Sequence, residues 1–567
     1  MFDTFIQLPP FTLFFMGALL LLIFRGVVAS VITVVVPILS FILLLQWQEG
    51  SYFYYSLMGM DLTLIHIDRL SLLFAYLFHL AALIAGIFAL HEKDKVQQVA
   101  SLAYAGSAIG AVFAGDWMSL FVFWELLALT SVFLIWARRT PASYSSGMRY
   151  LIIQVLSGVL LFTGALILMA ETGSAEIVAL SLGSLSTWLI FIAFGIKCGF
   201  PFLHNWITDA YPEATPTGTI FLCAITTKVG IYALARSFSG EELLITIGVV
   251  MACLPIFYAV IENDLRRVLA YSMINQIGFM VCGIGIGTDM AINGAVATAF
   301  NHVIYKGLLM MSMGAVLYRV GHVNGSNLGG LYRSMPKTTV FCIVGAASIS
   351  AFPLFSGFVS KSIIMLEMLE AGHTLGWLLL LFAAAGVFHH AGIKVPFFAF
   401  FGHDSGLKVK EAPINMLIAM GIAAALCVFI GSYPALLYSL LPFPIDYSPY
   451  DVTHVLTQMQ LLFFSALAFV WLNLKGLYPP ELRSTNVDVD WFYRKLAPKY
   501  INKISVVVAN SYSSVSAILI ALLSSFLHSV EKVSAPTSVL GRGWGINNML
   551  IALLSIMVVV LAFNYWH

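Results

Sequence analysis

The sequence predicts an all-α polytopic membrane protein with about 14–16 transmembrane helices. Three observations predict it. Of 567 residues 60% are hydrophobic and only 10% charged, and the mean hydropathy is +0.94. Apolar runs close to the roughly 20 residues that a helix needs to cross a bilayer recur from Phe11 to Trp566. The basic residues between those runs fall mainly in alternate loops. Such a composition excludes disorder and ordinary soluble globularity.

A net charge of +1 provides no basic field for nucleic acid. The 14% aromatic content fits interfacial belts and lipid-facing surfaces. Six cysteines lie in or beside apolar runs with no CxxC pair, so they read as small core fillers. No clustered ligands suggest a metal or cofactor. The N-terminal MFDTFIQLPPF lacks the basic region of a cleaved signal peptide.

Taken in order, spans are expected near 9–24, 27–46, 69–90, 97–114, 117–137, 147–170, 186–207, 216–237, 242–261, 265–286, 288–318, 338–370, 375–400, 413–440, 456–474 and 547–566. Loops after odd-numbered spans hold Arg25, Lys93, Lys95, Arg138, Arg139, Arg266, Arg267, Arg333, Lys337, Lys408 and Lys410; Arg69 and Arg236 are the exceptions elsewhere. This places the N-terminus outside and the odd loops inside. The seventh and twelfth spans are interrupted by Gly and Pro, as GIKCGFPFL and AFPLFSGFVSK. Breaks at matching places suggest two inverted five-helix repeats. The expected organisation is N-terminal helices over 1–96, a first repeat over 97–240, a second over 241–410 and further spans over 411–475. A lateral segment over 476–546 and a last span over 547–567 follow. Residues 476–512 are polar, basic and aromatic, and 513–532 are apolar but serine-rich. An amphipathic helix along the membrane surface is the favoured reading, and a linker plus one more span is the other.

Within this oil lie ionisable residues. An ionised side chain at the bilayer centre costs at least about 2.5–3.5 kcal/mol, and such residues mark ion paths. Glu125 sits in MSLFVFWELLALTSVFLIWA, Lys197 in WLIFIAFGIKCGFPFL and Lys228 in IFLCAITTKVGIYALA. Burial favours the neutral form of an acid or a lysine, and an opposite charge nearby favours the charged form of both. A Glu125–Lys197 pair would therefore switch its proton with separation. Lys228 reads as a relay between the halves. His302 and Lys306 are four apart on one helix face, and a neutral imidazole passes protons near neutrality. Lys361 follows the second break and reads as the counterpart of Lys197. His389, His390 and Lys394 form either a proton exit or a solvated helix end. His204, just past the first break, is a candidate for an access path. Asp116 is expected at a helix start. No GxGxxG after a strand, Walker loop or HExxH occurs in context, so no catalytic chemistry of the chain's own is expected.

The segments DWMSLFVFWELLALTS, FGIKCGFPFLHNWITDAYPEATPT, TKVGIYALAR, DLRRVLAYSMINQIGFM, FNHVIYKGLLMMSMGAVL and FPLFSGFVSKSII carry a resemblance. Over about residues 60–410 the chain resembles the antiporter-like membrane subunits of Mrp-type cation/proton antiporters and respiratory complex I. GRGWG, DVDWFYRK and GIKVPFFAFFGHDSG look most like the Mrp D subunit. The resemblance implies inverted repeats with broken helices seven and twelve. It implies a relay of Glu125, Lys197, Lys228, His302, Lys306 and Lys361. Where some relatives carry a second histidine one turn before His302, this chain has Thr298. The implied function is proton movement coupled to sodium or another cation, within a hetero-oligomeric complex of a bacterial inner membrane. A redox-driven proton pump or a membrane partner in inorganic-carbon uptake are the alternatives.

Overall fold

The computed structural model describes residues 8–57, 59–482, 486–535, 538, 543 and 545–565. GRGWG and the first seven residues lie largely or wholly outside them. The described residues contain 14 helices long and apolar enough to cross a membrane, and three shorter apolar ones. All sixteen expected spans are present as helices, so the chain is an all-α polytopic membrane protein. It divides into two compact units, one ending at Asn486 and one beginning at Val487.

The first unit opens with α1 (Pro10–Ile23) and α2 (Val27–Leu44). Hydropathy reads the next stretch as a loop, but it forms an antiparallel hairpin, β1 (Gly50–Leu57) with β2 (Met60–Ile67). Its alternating residues fit a half-buried strand pair; that period is invisible to a window tuned to helices. Helix α3 (Arg69–Phe88) follows, capped by Asp68, which also pairs with Arg236 at 2.7 Å.

Two groups of helices with matching lengths and ends come next. The first is α4 (Lys95–Phe113), α5 (Trp117–Trp136), α6 (Pro141–Thr172), α7 (Leu185–Cys198), α8 (Asn205–Ala210), α9 (Gly218–Ala224) and α10 (Thr226–Ser237). The second is α11 (Leu243–Ile261), α12 (Leu265–Ile286), α13 (Asp289–Val320), α14 (Pro336–Ile349), α15 (Phe358–Glu370) and α16 (Thr374–Val387). Helix α16 runs on through π-helical turns at Phe388–Lys394 and Phe397–Phe401. Helices α4 and α11 both have 19 residues, and α6 and α13 both have 32. Asp116 caps α5 and Asp264 caps α12, and each bridges a later strand-like residue, Glu176 and Asn324, at the same separation. Helices α6 and α13 both end on a left-handed glycine, Gly173 and Gly321.

The breaks match atom for atom. Phe200 N–H reaches back to Gly195 O at 3.0 Å, and Phe352 N–H to Ala347 O at 3.0 Å. Residues Gly199 and Phe202 have positive φ at the first break, Ala351 and Leu354 at the second. In both cases a Phe-Pro step ends one helix and starts a new segment, because proline supplies no N–H to continue it.

Helices α17 (Ile414–Ser432), α18 (Ala435–Ser439) and α19 (Val452–Leu474) complete the first unit. Its centre is α12, α13 and the α9–α10 pair, whose apolar windows are 94%, 83% and 100% buried. In the second unit α20 (Ala497–Ser534) is one continuous helix of 38 residues, followed by α21 (Ile546–Tyr565). At 1.5 Å per residue α20 is about 57 Å long, nearly twice the ~30 Å hydrocarbon core. The polar 497–512 and apolar 513–532 stretches are thus one rod, and its length suits a helix lying along the surface.

Two contacts hold the centre together. Helices α11 and α12 cross at glycines: a Cβ on Gly278 would fall 2.5 Å from Ala252 N and 2.6 Å from Gly248 O. Arg266, 1% exposed, donates to the carbonyls of Tyr211, Pro212, Ala214 and Thr215 and to the Thr219 hydroxyl. Gly278→Leu is expected to wedge the crossing apart at a cost of at least about 1–3 kcal/mol. Arg266→Leu is expected to strand those acceptors at a cost of about 3 kcal/mol or more. Both should lower the thermal unfolding midpoint of the purified protein in detergent, and an unchanged midpoint would refute the packing described.

Candidate functional site

Lys197 occupies the last turn of α7 and is wholly buried. Its ammonium donates to Trp124 O at 3.4 Å and Gln154 Oε1 at 3.2 Å, and lies 4.7 Å from the Trp124 ring centre. The Trp124 indole is fixed in turn by Ser157 Oγ at 3.0 Å, and that hydroxyl donates to Ala193 O at 2.7 Å. Glu125, the next residue on α5, is half-buried and its Oε1 has no hydrogen-bond partner. The carboxyl rests on Gly158, where a Cβ would sit 1.3 Å from Oε1. Glu125 and Lys197 act on each other electrostatically. Among the described residues they form no direct ion pair, which corrects the expected contact. Neutral acceptors on α5 and α6 already take the ammonium, so it does not need the carboxylate.

Lys228 lies beside a third helix break, unmarked by proline, at Ile225 between α9 and α10. Its ammonium takes Cys223 O at 2.8 Å and Thr227 Oγ1 at 3.2 Å. Two residues on, Gly230 brings α10 against the end of α7: a Cβ there would fall 2.8 Å from Cys198 Sγ and 3.2 Å from Lys197 Cβ. Lys197 and Lys228 therefore sit on touching segments.

On α13, His302 and Lys306 are both inaccessible. Lys306 donates to Leu269 O at 3.2 Å and Ser272 Oγ at 2.9 Å on α12. Neither ring nitrogen of His302 has a hydrogen-bond partner, nor does the Thr298 hydroxyl one turn earlier. The His302 ring meets Tyr305 edge-on at 5.4 Å, and Tyr305 donates to Gln276 at 3.2 Å. The charges of Lys228, Lys306 and Lys361 all act on His302. The fold thus gathers four of the sequence-derived residues around one imidazole.

Lys361, on α15, donates to Ile349 O at 3.3 Å and lies 4.9 Å from the Phe279 ring centre. It is not the positional counterpart of Lys197: Lys197 precedes its break and Lys361 follows the other. Its ammonium nevertheless reaches the last residue of α14, the place that the end of α7 takes in the first group. A cavity of about 330 Å³ beside it is also lined by Asp451, His454 and Gln458. His204 is buried just past the first break, at the start of α8.

The last cluster is not a solvated helix end. His390 and Lys394 are fully buried, and neither His390 nitrogen has a hydrogen-bond partner. Lys394 donates to Val260 O at 2.6 Å, Glu262 O at 2.7 Å and Ala259 O at 3.3 Å, and pairs with Glu481 at 2.9 Å. Half-buried His389 packs on Phe469 and Tyr478. Sequence reasoning missed Gln154, Ser272 and Glu481. The first two are polar residues in apolar helices and so carried a signal. Glu481 lies in a loop where an acid is unremarked.

Residues 114–388 match the family described as NADH:quinone oxidoreductase/Mrp antiporter, TM. Hydrogenase-4 component B of Escherichia coli (strain K12) is 27% identical over 421 residues, 65% of this chain and 62% of that protein. A Na(+)/H(+) antiporter subunit of Bacillus subtilis (strain 168) is 31% identical over 399 residues, 62% of this chain and 50% of that one. The chain thus spans about half to three-fifths of these relatives. The solved Mrp complex from Dietzia sp. DQ12-45-1b contains a chain of the same fold, with TM-score 0.65 and 20% identity over 77% of this chain and 95% of its own. The membrane-bound sulfane sulfur reductase, an archaeal respiratory membrane complex, contains another, with TM-score 0.71 and 21% identity over 98% and 100%. The membrane core of this chain, residues 114–388, belongs to the NADH:quinone oxidoreductase/Mrp antiporter transmembrane family.

Proposed function

We propose that the chain is a proton-translocating subunit of a multisubunit membrane complex, with cation/proton antiport, sodium foremost, as its reaction. The observation that carries this is His302: a buried imidazole without protein partners, acted on by three buried lysines. Buried polar groups require hydrogen-bond partners, and water at the His302 and Thr298 orphans would supply them and conduct protons. The path runs from Glu125 and Lys197 through Lys228 to His302 and Lys306, then to Lys361. Thr298 serves it where relatives carry a histidine, and His204 serves an access route. Two inverted five-helix repeats would place the breaks at α7 and α14 on opposite halves of that path. The basic loops orient the N-terminus outside and the odd loops in the cytoplasm of a bacterial cell, with α20 along the cytoplasmic face. A redox-driven pump is the second reading, favoured by the likeness to hydrogenase-4 component B.

The test uses everted membrane vesicles carrying the whole complex, with cation-driven proton movement read by a pH-sensitive dye. Lys197→Ala and Glu125→Ala are expected to lower the rate at least tenfold with the chain still present in the complex, and wild-type rates would remove the proposal. Thr298→Ala should have a milder effect, and complete loss would show the relay to be misplaced. Gly158→Ala should displace the Glu125 carboxyl and reproduce the Glu125→Ala loss, whereas an undiminished rate would show that the carboxyl's position is unimportant.

A further inference from the structure

The pair Lys394–Glu481 is absent from the relay described above, yet it is the most enclosed ion pair in the first unit, with side chains 0% and 5% exposed. Half of it has a structural explanation. Lys394 reaches the orphan carbonyls at the end of α11, and a lysine there completes a helix C-terminus. Those carbonyls do not need the acid. A buried carboxylate adds a desolvation cost that pairing seldom recovers, and an apolar side chain of similar size would serve packing as well.

Glu481 has a second neighbour in open space. With Ser326, Phe398, His403, Asn473 and Tyr478 it lines a cavity of about 290 Å³. Its Oε2 has no hydrogen-bond partner, and a Cβ on Gly325 would approach that oxygen to 3.4 Å. Burial pushes the Glu481 carboxyl up from its ordinary range, Lys394 opposes this, and Glu262 adds to it. Glu262 itself is held by Asn486 at 3.2 Å and pairs with Arg267 at 3.8 Å. On the inner side of Lys394 lies His390, four residues earlier on the same helix, with both nitrogens unpartnered. The charges of Lys394 and of Lys306 both act on His390. The cavity, the buried acid, the buried lysine and the orphan imidazole thus form a series that ends at the relay. Arg266, Arg267, Arg333, Lys408 and Lys410 lie in or beside the loops at this end, which makes it the cytoplasmic one.

We propose that Glu481 is the proton acceptor at a cytoplasmic mouth of the second helix group, with Lys394 its counter-ion and His390 the next carrier inward. This rests on the proton-translocating reading and names an intake for it. The Glu481 carboxylate takes a proton from water in the cavity. Lys394 gives one N–H proton to a ring nitrogen of His390 and recovers one from the Glu481 carboxyl. Glu481 ends as carboxylate, Lys394 as ammonium and His390 as imidazolium, so one proton has moved inward and no other group has changed.

The test measures cation-driven proton movement per assembled complex in everted vesicles across pH, for wild type, Glu481→Gln, Glu481→Asp and Lys197→Ala. Glu481→Gln keeps the side-chain volume and is expected to lower the rate at least tenfold and to abolish the limb of the pH profile that follows Glu481 protonation. Glu481→Asp should retain an intermediate rate with a displaced limb, and it is the variant read if Glu481→Gln does not assemble. A wild-type rate in Glu481→Gln beside an inactive Lys197→Ala overturns the intake and leaves the relay standing. A lowered rate with an unchanged pH profile in either Glu481 variant also overturns it, because a structural cap would behave so. A fully active Lys197→Ala defeats the relay and the intake together.

Discussion

An ammonium held away from water must find acceptors, and here all five of the buried lysines discussed find them on the main chain. Lys197 donates to Trp124 O, Lys228 to Cys223 O, Lys306 to Leu269 O, Lys361 to Ile349 O, and Lys394 to three carbonyls beyond α11. Only Lys394 among them pairs directly with a carboxylate. Carbonyl dipoles stabilise a cation without fixing its charge state to that of a titrating partner. The remaining charges can then act on one another at a distance, which a set of closed ion pairs would largely suppress.

The helix breaks follow from the same need. A regular helix spends its carbonyls on its own ladder, and an interrupted one frees some of them. Cys223 O lies at the α9–α10 break and Ile349 O at the end of α14. The parallel geometry of the two Phe-Pro breaks, down to the equivalent backbone hydrogen bonds, puts freed carbonyls at matching places in both helix groups. The tight glycine crossing of α11 and α12 and the Arg266 hub keep the surrounding helices close enough to exclude lipid from that interior.

Much of this was legible in the sequence. Twenty-residue apolar runs locate the helices because the bilayer allows few other structures, and the Phe-Pro steps locate two breaks because proline cannot continue a ladder. Glu125, Lys197, Lys228, His302, Lys306 and Lys361 stood out because charge in an apolar run is costly. What did not show depends on contacts between distant residues. The β1–β2 hairpin has a period of two that hydropathy averages away. The break at Ile225 has no proline to mark it. Glu481 sits in a polar loop, and only the fold reveals that it is buried against Lys394. Lys361 looked like the counterpart of Lys197 by its nearness to a break, although its ammonium, not its position in the chain, provides the likeness.

Lys228 is the link between the two helix groups, so replacing it tests the central claim most directly. In the intact complex, Lys228→Met keeps the long apolar stem and removes only the proton-carrying end. Cation-driven proton flux in everted vesicles should fall at least tenfold while the amount of assembled complex is unchanged. Flux equal to wild type would contradict the account, since protons would then cross without the buried charge that joins its halves.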